Sequence, residues 1–387
     1  MRRSTLPLTR RTLLRGTAAA SLATALAACG TKGAKQTEAS CVSEDVSGAE
    51  KTLQFSNWTQ YIDVDGDARP TLAAFQQQTG ITVTYTEDIN DNNQFFGKIQ
   101  QQLSACQPTG RDVIVLTDWL VGRLVQLGWV QKLDLAKMPN VQANLLPSLK
   151  GRSVDPQNDH AVPWQGGLAA IAYNAGATKE VRTIDELLTR ADLKGRVTLL
   201  AEMRDTMGLI MQSNGHDPSN FTAAQFDDAL AKLKRAVDAG QIRKFTGNEY
   251  TTDLERGDIA ACLAWSGDVL QLSAENDRIR FVAPDSGAIL FSDDALVPNR
   301  AGHKANAEQL LNYYYQPEVA AKVAAEVNYI CPVVGAQEAM TKIDPELAEN
   351  PLIFPTPELL GNAKDFMVLD EAASREYERK FQTVIGA

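Results

Sequence analysis

Between residues 51 and 116 the hydrophobic period changes four times. "KTLQF" (51–55) alternates, "TLAAFQQQTG" (71–80) sets Leu72 and Phe75 at helical spacing and stops at Gly80, and "ITVTY" (81–85) alternates again. "NQFFGKIQQQL" (93–103) returns to the helical period, and "DVIVL" (112–116) reads as a buried strand. Strands joined through helices can lie parallel, because a parallel pair needs a crossover and cannot be closed by a tight turn. The alternation therefore points to an α/β chain with a parallel sheet. Ligands of such sheets sit at the carboxyl ends of the strands. Trp58 follows the first strand and Trp119 follows "DVIVLTD", so both are expected at that edge.

The pattern recurs. "KGRVTLL" (194–200) reads as a strand, "SNFTAAQFDDALAKLKRAVDAG" (219–240) as an amphipathic helix with an Asn or Ser cap and a Gly stop, and "GDIAACLAW" (257–265) as a strand ending at Trp265. This second set is expected to form its own sheet. "AVPWQGGLAAIAYN" (161–174) and "RIRFVAPDSGAILFSDDALVP" (278–298) read as extended segments crossing between the sets, and 304–327 as closing helices. The Tyr313-Tyr314-Tyr315 run lies in that helical pattern before Pro317 and is expected to serve packing.

The N-terminus bears on location. Arg10 and Arg11 precede "LL" and the apolar, small-residue run "TAAASLATALAAC", the pattern of an export signal and too short for a lasting membrane span. The paired arginines resemble a twin-arginine signal, and "LAAC" (26–29) resembles a bacterial lipobox, which would make Cys29 a lipidated mature N-terminus. Residues 1–28 are then a signal peptide, and the polar stretch 29–50 a flexible linker from the membrane. The mature remainder of roughly 360 residues is long enough for two lobes. The whole chain carries −10; the signal holds five arginines and no acid, so the remainder carries −15. That charge disfavours nucleic acid and suits a cationic partner. Cys41, Cys106, Cys262 and Cys331 allow three disulfide pairings in an exported chain. No cysteine has zinc spacing and the three histidines are far apart, so no metal, cofactor or His-based triad is expected.

Six segments in order, "FSNWTQYI", "DVIVLTDWL", "AVPWQGGLAAIAYN", "LAWSGDVLQL", "FSDDALVP" and "VNYICP", resemble the periplasmic spermidine/putrescine-binding proteins of ABC importers. The resemblance runs from Lys51 to the end. It implies a two-lobed periplasmic-binding-protein fold of type II with hinge-crossing strands: one lobe from 51–167 and 293–337, the other from 168–292 and 338–387. It implies an interlobe ligand site at Trp58, Thr59, Gln60 and Tyr61, at Thr117 and Trp119, at the acids Glu202 and Asp205, at Trp265 and Asp268, at Phe291 and Asp293, and at Tyr329. The implied activity is capture, without bond chemistry, and delivery to a membrane permease with its ATPase; a monomer is expected. Gln60 stands where some members have an acid, and Phe291 where some have Trp, which leaves the preferred polyamine open.

The residue types suit such a ligand. Each ammonium leaving water needs acceptors, which spaced carboxylates supply, and the methylenes between them need flat apolar walls, which rings supply while also attracting cations. Trp58 and Tyr61 are thus expected to be held by the ligand rather than by the core, and Asp294 to be structural. Two other readings are a binding protein for ferric iron or another cationic solute, which would need a tyrosine cluster, and a secreted hydrolase using Glu202 and Asp205 as acid and base.

Overall fold

A computed structural model describes residue 41 and residues 44–386; the expected signal peptide and Cys29 lie outside the described residues. The strands are β1 (Thr52–Trp58), β2 (Thr82–Ile89), β3 (Val113–Thr117), β4 (Ala161–Asn174), β5 (Val197–Leu200), β6 (Ile242–Thr246), β7 (Ala261–Trp265), β8 (Ile279–Val282), β9 (Ala288–Leu296) and β10 (Ala363–Lys364). Their order is β2-β1-β3-β9-β4-β7-β5-β6, with β8 on β4 and β10 on β9. Each half repeats one plan. Three parallel strands (β2-β1-β3, then β6-β5-β7) are followed by one long antiparallel strand, β9 in the first half and β4 in the second.

The expected second sheet is not separate. β4 and β9 pair with each other from Ala161↔Leu296 to Ala169↔Ile289, so the two α/β lobes share one ten-stranded sheet. The reason lies in β4 itself: all of its residues are buried, so it needs a partner on both edges and cover on both faces. Its ladder slips between Pro163 and Gln165. There the Tyr315 hydroxyl donates to the Pro163 carbonyl (2.7 Å) and the Tyr314 hydroxyl to that of Trp164 (2.6 Å), supplying partners that the bulge removes. The tyrosine run is therefore packing, as its helical setting implied; Tyr314 also stacks on the buried Trp164 at 4.1 Å.

Two local expectations change. The helix Ala223–Asp238 is capped by Thr222, whose hydroxyl accepts from Gln225 N in a reciprocal capping box, not by Asn or Ser. The span 29–50, expected to be flexible, is fastened to the body over its last part. Cys41 is bonded to Cys106, Val46 N donates to the Gly302 carbonyl (2.8 Å), and Ser47 Oγ accepts from Asn306 N (3.2 Å). Cys262 and Cys331 are buried free thiols. Among the described residues no helix is long and apolar enough to cross a membrane.

Candidate functional site

At the carboxyl edge of the strands both lobes line one cavity. From the first lobe come Trp58 at the end of β1, Thr59 and Tyr61 just beyond it, Thr117 at the end of β3, and Trp119 in the helix Asp118–Gln126 that follows. From the second come Glu202 and Asp205, at the start of the helix Met203–Ser213 after β5, and Trp265 at the end of β7. Phe291 and Asp293 project from β9 two residues apart, on the same face of the strand, and Tyr329 closes the ring.

The acids are fixed by donors. Asp293 accepts from the Tyr61 hydroxyl and the Thr117 hydroxyl, one on each carboxylate oxygen, both at 2.7 Å. Glu202 Oε1 accepts from Asn92 N (2.9 Å) and Asn92 Nδ2 (2.8 Å), a bond between the lobes. Asp205 accepts from Trp265 Nε1 at 2.8 Å. Burial disfavours each charged form more than these bonds favour it. It pushes Asp293 up to about 7 and Asp205 up to about 6, and holds Glu202 well above its ordinary value, where the charges of Asp91 and Asp205 add to the effect. Burial likewise raises Tyr61 and Tyr329 far above the usual phenol range, so both remain hydroxyl donors.

Two expected ligand contacts stand elsewhere. Asp268 does not line the cavity. It sits one layer back, accepting from Tyr329 (2.6 Å), Tyr250 (2.7 Å) and Asn248 Nδ2 (2.9 Å), and so aims Tyr329 from behind. Gln60 is exposed and off the cavity wall because its backbone turns left-handed (φ 55°), which throws its side chain away from the flanking Thr59 and Tyr61. The expectation that ligand rather than core holds Trp58 and Tyr61 is also overturned. They are only 7% and 3% exposed, and other rings of the cavity hold them: Trp58 edge-on to Trp265 of the opposite lobe (6.2 Å) and Tyr61 edge-on to Tyr329 (4.9 Å). Tyr329 can lie so close because residue 267 is glycine; a Cβ there would stand 2.2 Å from its ring.

Asn92, Asp118, Arg204, Asn248, Asp365 and Phe366 also line the cavity and were not anticipated. Asn92 follows β2, so the strand-end rule that singled out Trp58 applies to it equally. Asp118 lies between two expected contacts. Asp365 and Phe366 carry no periodic signal; pairing of the two-residue β10 with β9 brings them in. Arg204 is the one cationic group on the cavity wall among the described residues. Its charge is already committed, to Glu378 (2.9 Å) with a further bond to Ser374 (3.1 Å), and its guanidinium lies 3.6 Å from the ring centre of Trp119. The cavity thus offers buried carboxylates between aromatic faces, with no free cation of its own.

The profile of the bacterial extracellular solute-binding proteins matches residues 71–355. The chain belongs to that family. Among relatives of this solute-binding protein is the putrescine-binding periplasmic protein PotF of Escherichia coli (strain K12), 30% identical over 361 residues that cover 87% of this chain and 91% of that protein. The spermidine/putrescine-binding periplasmic protein of the same organism is 26% identical over 333 residues, covering 86% and 90%. The Tp0655 (TpPotD) lipoprotein of Treponema pallidum has the same two-lobed fold, with a TM-score of 0.73 at 22% identity over 87% of this chain and 100% of that one.

Proposed function

We propose that this solute-binding protein captures a linear polyamine of the putrescine or spermidine kind between its lobes and delivers it to an ABC permease with its ATPase. The observation that carries the reading is the set Asp293, Glu202 and Asp205, buried with raised pKa values between the rings of Trp58, Trp265, Phe291 and Tyr329. Carboxylates kept this far from water without a counter-cation are poised for ammonium groups, and the rings suit the methylenes. The polyamine-binding names of PotF and its spermidine/putrescine-binding relative support the same choice.

The work is binding without bond chemistry. The lobes are taken as 51–167 with 293–337 and 168–292 with 338–387. Asn92 on Glu202, and Asn90 Nδ2 on Glu249 (2.8 Å), would join them in the closed form. Ligand favours closure only by its extra affinity for that form, which arises because acids and rings come from both sides. The ferric-iron alternative rested on the tyrosine run, and Tyr314 and Tyr315 spend their hydroxyls on backbone carbonyls of β4. The hydrolase alternative would need a nucleophile or water site beside Glu202 and Asp205, and the sequence carries no G-x-S-x-G motif to supply one. Export through the twin-arginine pattern, lipid attachment at Cys29 to the extracytoplasmic face of the membrane, and a monomeric state complete the proposal.

Calorimetric titration with putrescine and spermidine, beside a thermal-shift screen of neutral and anionic solutes, tests it. Saturable binding of a linear amine is expected, with no visible absorption band on adding ferric iron. Stabilisation by an anionic or neutral solute with no response to any amine would refute it.

A further inference from the structure

Beside the aromatic site the fold holds a second and larger hollow, of about 510 Å³ against about 70 Å³. Its walls are mainly apolar, with Leu149, Ile330, Val333, Phe354 and Leu360 among them. The two spaces are continuous in their lining: Asp118, Leu290, Phe291 and Asp365 border both. The border is therefore acidic. One oxygen of Asp118 accepts from Arg152 Nη1 (3.2 Å), and Asp365 has no hydrogen-bond or ion-pair partner among the described residues. Beyond the border the only charged side chain lining the hollow among the described residues is Arg152, which grips both oxygens of Asp294 (2.7 and 2.6 Å). A second ammonium inside the hollow would meet that guanidinium and apolar walls. A hydrocarbon arm would meet mainly surface that prefers it to water.

Resting on the amine-binding reading of the cleft, we infer that this hollow is a second compartment of the binding site, and that it takes linear amines whose distal nitrogen carries an uncharged apolar arm. The aromatic site holds the proximal ammonium. The distal ammonium lies at the border, against Asp365 and Asp118, and the arm runs along Leu149, Val333 and Phe354. The size of the hollow, its apolar lining and the unpartnered carboxylate at its entrance each follow from that occupant. A plain four-carbon diamine would leave it unused.

The test compares putrescine with N-hexylputrescine by titration calorimetry on the native chain. Each methylene moved from water into such walls strengthens binding up to roughly fourfold, so a six-carbon arm is expected to improve affinity at least about thirtyfold after its ordering cost. Val334→Trp and Leu149→Trp fill the hollow from two sides. Val334 is 43% exposed at its margin, so that change threatens folding little. Both variants are expected to bind putrescine within about twofold of the native protein while losing most of the gain from the arm. Equal affinity of the native protein for the two amines, or a gain that survives both fills, overturns the compartment and leaves the cleft reading intact. Failure of N-hexylputrescine alone to bind overturns the compartment, and failure of both amines overturns both readings.

Discussion

The wall that follows β1 and β3 presents Trp58, Thr59, Tyr61, Thr117 and Trp119, rings and hydroxyls, with one acid, Asp118, that already accepts from Arg152; the wall that follows β5 and β7 presents Glu202, Asp205 and Trp265, two acids and one ring. The strand plan is the same on both sides, so the fold does not account for the difference. The hydroxyl-bearing wall is the one that holds Asp293, through Tyr61 and Thr117, and Asp293 comes from the crossing strand β9. A cation resting on the first wall alone would find rings with Asp293 and with Asp118, whose charge Arg152 already offsets. On the second wall alone it would find acids with most of their aromatic cover missing. Only the two walls together give an ammonium acceptors and its methylenes a lining, and that is where the differential affinity for the closed form originates.

The sharpest way to break this asymmetry is Asp293→Asn, which removes the one acid held by the first wall and keeps its shape. Truncating one partner of a buried, hydrogen-bonded charge pair costs affinity steeply, so polyamine binding is expected to fall roughly thirtyfold or more. Titration calorimetry, with a melting curve to establish that the variant is folded, measures it; native affinity would remove Asp293 from the cation site.

Proton release is the next largest effect. Burial raises Asp293 to about 7 and Asp205 to about 6, so in the empty cleft both are substantially protonated at pH 5.5, while a bound ammonium favours their ionised forms. Affinity should therefore rise with pH between 5.5 and 7.5, by up to about tenfold per unit for each proton released. The stability of the empty protein should move the other way. These acids hold protons in the folded state at pH values where the unfolded chain has lost them, so their contribution is full below the ordinary carboxylate range and is lost as pH rises through about 6 to 7. Calorimetry at pH 6 in buffers of different ionisation heat should register proton release on binding; none would contradict the assignment.

Trp265→Phe acts on the second wall. The ring edge toward Trp58 is largely preserved, but Asp205 loses its side-chain donor, the indole nitrogen. Removing a hydrogen bond to a charged group is expected to cost about tenfold in affinity. Asp205 should titrate higher, which the pH dependence of binding would display as a shift to higher pH. An unshifted profile would mean that Asp205 is not the group this indole steadies.

Most of this arrangement was legible in the residues because it follows from period and strand ends. The alternation over 51–116 implied a parallel sheet, and β4 spans the same 14 residues, Ala161–Asn174, that read as an extended crossing segment. Trp58, Trp119 and Trp265 lie where the carboxyl-edge rule puts them. What escaped depends on pairing between distant segments. Nothing in 161–174 alone says that it will join β9 and merge two sheets. Nothing around Asp365 says that a two-residue strand will carry it to the cleft. Gln60 was carried over from the resemblance, where some members have an acid, and one left-handed residue turns its side chain off the cavity wall. Asp268 was placed one layer too near the ligand by the resemblance, and nothing in its segment reveals that a tyrosine stands in between.

Gln60→Asp sharpens the comparison at its weakest point, by adding to the segment after β1 an acid with no arginine bonded to it. Were the side chain on the cavity wall, a new acid there would bring an ammonium partner and a large gain. The structure leaves it exposed, with its backbone at φ 55°, a region that Asp tolerates well, so the fold should be unaffected. An exposed charge is screened by solvent and salt, and the change is expected to alter polyamine affinity by less than about threefold, with what gain there is fading as salt is raised. A tenfold gain that persists in 0.5 M salt would mean that residue 60 reaches the ligand, and that the first wall can be made acidic without help from the strand that crosses between the lobes.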